Sequence, residues 1–261
     1  MELLASHDVA LVRADNPGPF SLTGTNTWIV GRDPAWVVDP GPALDAHVAA
    51  VAQEVERRGG LGGIALTHDH PDHADAIPVL RERLGAAPVA AARGAVELLL
   101  VDGDRAGPLT VLATPGHAPD HLAYVLDRTI GFTGDAVLGT GSVFIAPDPH
   151  ALADYLVGLA RLRAYGLALI CPGHGPLVQD PAAKIDEYID HRIQRERLLL
   201  VALADGQRSV DGLLAAAWPD VPDVLRSAAA VTLAAHLDKL ADEGRLPWGV
   251  ERPAWPVSPR G

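Results

Sequence analysis

The sequence predicts an α/β protein followed by a helical appendage, and three observations predict it. Short β-type runs bounded by glycine and proline fill the first half of the chain, helical patterns alternate with them, and from Pro181 onward only helical patterns remain. The 261 residues with 48% hydrophobic content suit one large domain with a small partner and a sizeable core.

In chain order, the β-type runs are TNTWIVG, AWVVDPG, GIALTHD, APVAAA, LTVLATPGH, LAYVL and TIGFTGD. Helices are predicted between them over Ala43 to Arg58 and Asp75 to Leu84, then over His150 to Arg163, where leucines stand at 152, 156, 159 and 162. The apolar run LALICPGHG follows. Ala182 to Ala204 reads as one long helix, and Ser209 to Ala217 and Pro222 to Glu243 as two more. This places a catalytic domain over 1–183 and a helical domain over 184–261.

Composition narrows the function. Lysine plus arginine total 21 against 33 aspartate plus glutamate, a net charge of -12, which disfavours a general nucleic-acid or anionic-membrane surface. No apolar stretch reaches the length of a membrane span. The first twenty residues lack a basic segment ahead of an apolar run, so no signal peptide is expected. The single cysteine, Cys171, agrees with a reducing compartment, and a cytoplasmic location is expected. Cys171 itself reads as a small buried hydrophobe, and Trp28 and Trp36 as core. Trp248 and Trp255 are expected to drape over the surface.

The chemistry concentrates in THDHPDH, residues 67–73, directly after an apolar run. Neutral imidazoles and carboxylates suit zinc, and a catalytic site needs three protein ligands with one position open. In an extended segment residues two apart point to the same side, so His68 and His70 can grip one ion while Asp72 and His73, opening a helix, face a second. Asp69 points away from both. Completion must come from elsewhere, and three histidine or aspartate positions follow strand-like runs beside glycine: His117 in TPGHAPDH, Asp135 in GFTGDAV and His174 in CPGHGP. The other histidines, at 7, 47, 121, 150, 191 and 236, read as surface or structural, with His121 the candidate to support a ligand. Thr25 and Asn26 can reach the site mouth.

The series His-x-His-x-Asp-His, then His, Asp and Gly-His-Gly resembles the metallo-β-lactamase superfamily, which implies an αββα sandwich with a binuclear metal site. On that resemblance His68, His70 and His117 hold the first ion, Asp72, His73 and His174 the second, and Asp135 bridges them, so that Asp72 and Asp135 are the catalytic carboxylates. The cofactor implied is two divalent ions, zinc first, with manganese or iron as alternatives. A metal-bridging hydroxide then serves as nucleophile at neutral pH. NPGPFSLTGTNTWIVG, CPGHGPLVQDPAAKIDEYIDHRIQRE and LAAHLDKLADEGRL resemble the β-lactamase-like protein 2 subfamily, which implies a winged-helix-like segment after the catalytic domain.

An ester or thioester substrate, small or carrier-bound, is expected, with single-stranded RNA as the alternative. β-Lactamases of the commonest class carry cysteine at the place of Asp135, and glyoxalase II enzymes carry a cysteine- and arginine-bearing loop where this chain reads AVLGTGSVFIAP, so both are minority readings. A non-catalytic nucleic-acid module is disfavoured too, because Asp223, Asp238, Asp242 and Glu243 crowd the last helix. The tail is expected to shape the site mouth or a homo-oligomer contact. The one basic run, RIQRER, is expected to form a solvated face paired with Asp190 and Glu196.

Overall fold

A computed structural model of the chain describes residues 2–146 and 148–253. After a short helix α1 (Glu2–Ser6), a first sheet of six strands takes the order β1 (Val9–Arg13), β2 (Asn26–Val30), β3 (Ala35–Val38), β4 (Leu61–Ala65), β5 (Val89–Ala91), β6 (Leu98–Leu99). β1, β2 and β3 pair antiparallel, and β3 to β6 pair parallel. Parallel neighbours need a crossover. Helix α2 (Asp45–Glu56) supplies it between β3 and β4, and the single turn α3 (Pro71–Ala74) with α4 (Ile77–Leu84) supplies it between β4 and β5.

The second sheet runs antiparallel through β7 (Arg105–Ala106), β8 (Leu109–Ala113), β9 (Leu122–Leu126) and β10 (Ile130–Gly134). It closes with β11 (Leu169–Pro172), parallel to β10 after the crossover helix α5 (Ala151–Tyr165). Three further helices follow: α6 (Pro181–Ala204), α7 (Val210–Ala217) and, after one turn of 3-10 helix, α8 (Arg226–Asp242).

Alternation along β9 shows how the layers form. Leu122, Tyr124 and Leu126 face the first sheet and join Trp28, Val38 and Phe132, while Ala123 and Val125 face outward onto Leu152, Tyr155 and Leu159 of α5. α2 and α4 cover the other outer face through Val48, Val51, Val55 and Leu80 on Ile29, Val37 and Ile64. The result is an αββα sandwich. Cys171, fully buried, lies in the layer between the sheets as a hydrophobe, and burial pushes its thiol up.

α6 serves two cores. Ile185 and Tyr188 in its first half pack on the sandwich, whereas Leu199 and Leu203 in its second half pack with Leu213, Trp218, Leu233 and Leu237 of the C-terminal unit. RIQRER therefore departs from the solvated face expected of it. Arg192 and Arg195 are buried because the C-terminal unit and a sandwich loop cover that side of α6; Arg192 donates to Val143 O, and Arg195 to Ala217 O and Asp220. Glu196 pairs with Lys239 and Arg245 instead. Trp28 is buried and Trp36 partly so, as core residues, and Trp248 is exposed; Trp255 lies outside the described residues. Among the described residues no helix is long and apolar enough to cross a membrane.

Candidate metal centre

The C-terminal ends of β4, β8, β10 and β11 converge, and each delivers a polar loop to one place. After β4 the chain stays extended through His70, which caps the one-turn α3, so Asp72 and His73 enter on the first helical turn. His68 Nε2 lies 2.9 Å from His70 Nδ1, which is 3.2 Å from His117 Nε2. His73 Nε2 lies 3.2 Å from His174 Nε2, and His174 Nε2 is 3.3 Å from Asp72 Oδ2. Asp135 stands between the two groups: Oδ1 is 3.4 Å from His174 Nε2 and 3.5 Å from His73 Nε2, while Oδ2 is 3.6 Å from His117 Nε2. All seven residues singled out in the sequence thus meet, and Asp69 turns away to a two-pronged pair with Arg93.

A buried network orients the rings from behind. Asp39, at the end of β3, accepts from Thr67 N and Thr67 Oγ1, both at 2.7 Å, and its Oδ2 lies 2.9 Å from His73 Nδ1. Thr67 Oγ1 is 3.0 Å from His68 Nδ1, so one carboxylate reaches both groups of ligands. His117 Nδ1 faces Phe144 O at 3.1 Å, and His174 Nδ1 faces Gly24 O at 3.4 Å. His121 Nε2 accepts from Asp135 N at 3.1 Å, which puts its hydrogen on Nδ1, facing Thr114 Oγ1 at 2.9 Å. Thr25 Oγ1 donates to Asp72 Oδ2 at 3.4 Å, and Asn26 Nδ2 ties down the CPGHG loop through Pro172 O and Gly175 O. Asp39 and Thr67 were not singled out from the sequence; the readable signal was a carboxylate closing an apolar strand in VVDPG.

Electrostatics divide the site. Burial, reinforced by neighbouring imidazoles, pushes His117 down to about 4 and holds His68 well below the usual histidine range; burial also lowers His70. At His174 and His73 burial is outweighed by Asp135 and Asp72, with Asp39 added at His73, so both rise, His174 to about 10. Burial would raise Asp135, yet His174 and His73 hold it well below the carboxylate range.

The residues fit a pair of cations by three observations. Asp135 Oδ1 is buried without a hydrogen-bond partner. A Cβ at Gly173 would come within 2.7 Å of Asp135 Oδ1 and 2.8 Å of His73 Cε1, so the loop approaches as only glycine can. The donors are imidazole and carboxylate, in clusters whose ligand atoms lie within 4.8 Å of one another. From His117 and Asp135 a cavity of about 730 Å³ runs between the sandwich and the C-terminal unit, past Phe20, Leu138 and Phe144 to Trp218, Leu225 and Ala229.

The family described as Metallo-beta-lactamase superfamily matches residues 21–108, and the Beta-lactamase associated winged helix domain matches residues 209–246. The chain is 30% identical over 258 residues to the Beta-lactamase-like protein 2 homolog of Caenorhabditis elegans, covering 92% of this chain and 86% of that protein. It is 33% identical over 216 residues to the Atrochrysone carboxyl ACP thioesterase of Aspergillus chevalieri, covering 78% and 68%. A metallo-beta-lactamase family protein of Thermus thermophilus superposes with a TM-score of 0.72 at 27% identity, covering 90% of this chain and 94% of that one. With the sandwich, the clustered histidines and these relatives together, the chain belongs to the metallo-β-lactamase superfamily as one of its hydrolases, with a winged-helix domain after the catalytic fold.

Proposed function

We propose that the chain is a binuclear, zinc-dependent hydrolase of esters or thioesters, with a carrier-bound acyl group as the natural substrate and the cytoplasm as its place of work. The observation that carries this reading is Asp135, whose two oxygens face different groups of histidines at the mouth of one cavity. His68, His70 and His117 would hold one ion, Asp72, His73 and His174 the other, and Asp135 would be shared. Two bound divalent cations supply Lewis acidity and bring the pKa of water from about 15.7 towards about 7. The chain's own residues do the rest. His121, through Asp135 N, and Asp39, through His73 and Thr67, hold the ligands in place. Asp72, whose side chain is more exposed than that of Asp135, turns Oδ2 to His174 and to the Thr25 hydroxyl, and its other oxygen would hold a proton from attacking water. Phe20, Leu138 and Phe144 exclude water from the acyl side.

The relative that acts on a carrier-bound acyl group supports this substrate class. The winged-helix match favours a second reading, cleavage of single-stranded RNA. Against it, cations of the C-terminal unit are engaged in ion pairs, Lys239 with Glu196 and Glu243, Arg226 with Asp211, and Arg252 with Asp238, which leaves little to neutralise phosphates. Elemental analysis after zinc or manganese loading tests the metal assignment: two equivalents per chain are expected, and fewer than one would refute it. Low-salt kinetics on thioesters, lactones and single-stranded RNA then rank the substrates, with RNA cleaved at the higher kcat/KM overturning the acyl reading.

A further inference from the structure

Among the described residues the hydrolase reading leaves several buried groups without a task, and one of them carries a fixed charge. Arg192 of α6 is 2% exposed and lines the cavity that opens on His117 and Asp135. A guanidinium cannot shed its proton, so a positive charge stays in that wall. One Nη donates to Val143 O and the group lies 5.5 Å from the centre of the Tyr155 ring, but Nε is buried with no hydrogen-bond partner. Arg195, one turn on, shows the usual solution: it is buried too, and it pairs with Asp220 at 2.7 Å. Next to Arg192 a second donor is left open. His191 Nε2 accepts from Arg195 Nε, which puts the ring hydrogen on Nδ1, and Nδ1 is buried without a partner. His191 also lines the cavity, as do Asp190 and two carboxylates that already have cations, Glu187 on Lys184 and Asp220 on Arg195, while Trp218, Leu225 and Ala229 of the C-terminal unit form an apolar stretch of the wall.

Two unpartnered donors, one of them permanently charged, belong to side chains that line a cavity continuous with the candidate metal centre, and a small turn of either side chain would bring its donor to an acceptor on a bound ligand. We infer that the acyl group bound there carries a second oxygen-bearing anionic group, in its simplest form a carboxylate, away from the scissile carbonyl, and that Arg192 is the residue that selects it. A carboxylate placed there gains charge-assisted hydrogen bonds that a plain alkyl chain cannot make. The apolar wall accepts the carbon skeleton between the two polar ends. This inference rests on the acyl reading above and deepens it.

The test uses the full metal-loaded chain and two ladders of N-acetylcysteamine thioesters, straight-chain dicarboxylates and their monocarboxylate twins of equal length. At one chain length the dicarboxylate is expected to exceed its twin about tenfold in kcat/KM, the size of one charge-assisted contact. Arg192→Met is expected to bring that ratio close to one, mainly through KM. Arg192→Lys, which keeps the charge and the aliphatic stem, restores part of the ratio, an outcome a mere folding defect would not give. Arg163→Met, which removes a surface pair with Asp186, leaves the ratio as it is. A flat ladder in the wild type, or a ratio untouched in Arg192→Met, overturns the inference. Calorimetric titration with the matching hydrolysis-resistant amides separates the two readings: preferential binding of the acidic amide without any thioester turnover sinks the acyl hydrolase and keeps the subsite, whereas equal affinity for both amide series sinks the subsite.

Discussion

The two halves of the candidate metal centre are built from the same kinds of residue and solve the same problem differently. His68 and His117 are buried and His70 partly so, and burial with the neighbouring imidazoles keeps protons off all three. His73 and His174 are just as buried but stand among Asp135, Asp72 and Asp39, which pull protons on. The first group is therefore ready to ligate at neutral pH, whereas in the second His174 must release a proton when a cation enters. The lesson is that the electrostatic character of a ligand set depends on the carboxylates around it as much as on its histidines.

The comparison breaks most completely at Asp135, whose two carboxylate oxygens face the two halves. Asp135→Ala is expected to lower kcat/KM by about a thousandfold, roughly 4 kcal/mol of transition-state stabilisation, while the circular dichroism spectrum stays as in the wild type. A loss of less than about tenfold would contradict its shared role. Next in size comes Asp39. Because it touches His73 directly and His68 only through Thr67, Asp39→Ala is expected to cost about 10- to 100-fold in metal affinity or activity. Titration of the metal-stripped variant with zinc should show one binding step weakened, that of the half holding His73, and the other largely kept; equal damage to both steps would show that Asp39 does not distinguish the halves.

Legibility in the sequence divides along the same line. The seven clustered residues were readable because His68, His70, Asp72 and His73 fall in one heptad, and His117, Asp135 and His174 sit in short glycine-flanked motifs at strand ends. Asp39 was not, because nothing in VVDPG says that its side chain crosses to Thr67 and His73 rather than to solvent. Of the fold, the buried strands were plain, but β1, β6 and β7 went unread: β1 alternates with exposed positions, β6 is two exposed leucines and β7 is two residues long. RIQRER misled because charge on a helix is read as solvated until a second unit is known to cover it. The cavity beyond the metal centre was illegible for the same reason, since α6 and the C-terminal unit form its walls only once packed.

A smaller effect, on stability, sharpens the comparison. In chelator-treated protein His117 sits at about 4, below the unfolded value of about 6.5, so the stability it contributes above pH 6.5 is lost as the pH falls towards 4. His174 sits at about 10, so its contribution is full below pH 6.5 and is lost as the pH rises through 10. Thermal melts of the metal-free chain are thus expected to peak near neutrality and fall by a few degrees on both sides. His117→Gln should flatten the acid limb and His174→Gln the alkaline one. Limbs unchanged by the two substitutions would show that other groups set the profile.

The smallest effect is expected at Asp69, the carboxylate in the heptad that joins neither half. Its side chain is half exposed and bound by Arg93, which also reaches Asp120 Oδ1 at 3.3 Å. Asp120 is buried and already raised by burial and by the Asp69 charge, so removing Asp69 relieves one repulsion as it frees one arginine. An exposed ion pair of this kind contributes about 0 to 1 kcal/mol. The backbone bond from Asp69 N to Asp120 Oδ2 at 3.2 Å, which holds the loop between His68 and His70, does not use the side chain and survives Asp69→Ala. Activity is therefore expected to stay within a factor of about three of the wild type. A loss comparable to that of Asp135→Ala would mean that this carboxylate takes part in the chemistry and that the division of the heptad into ligands and a bystander is wrong.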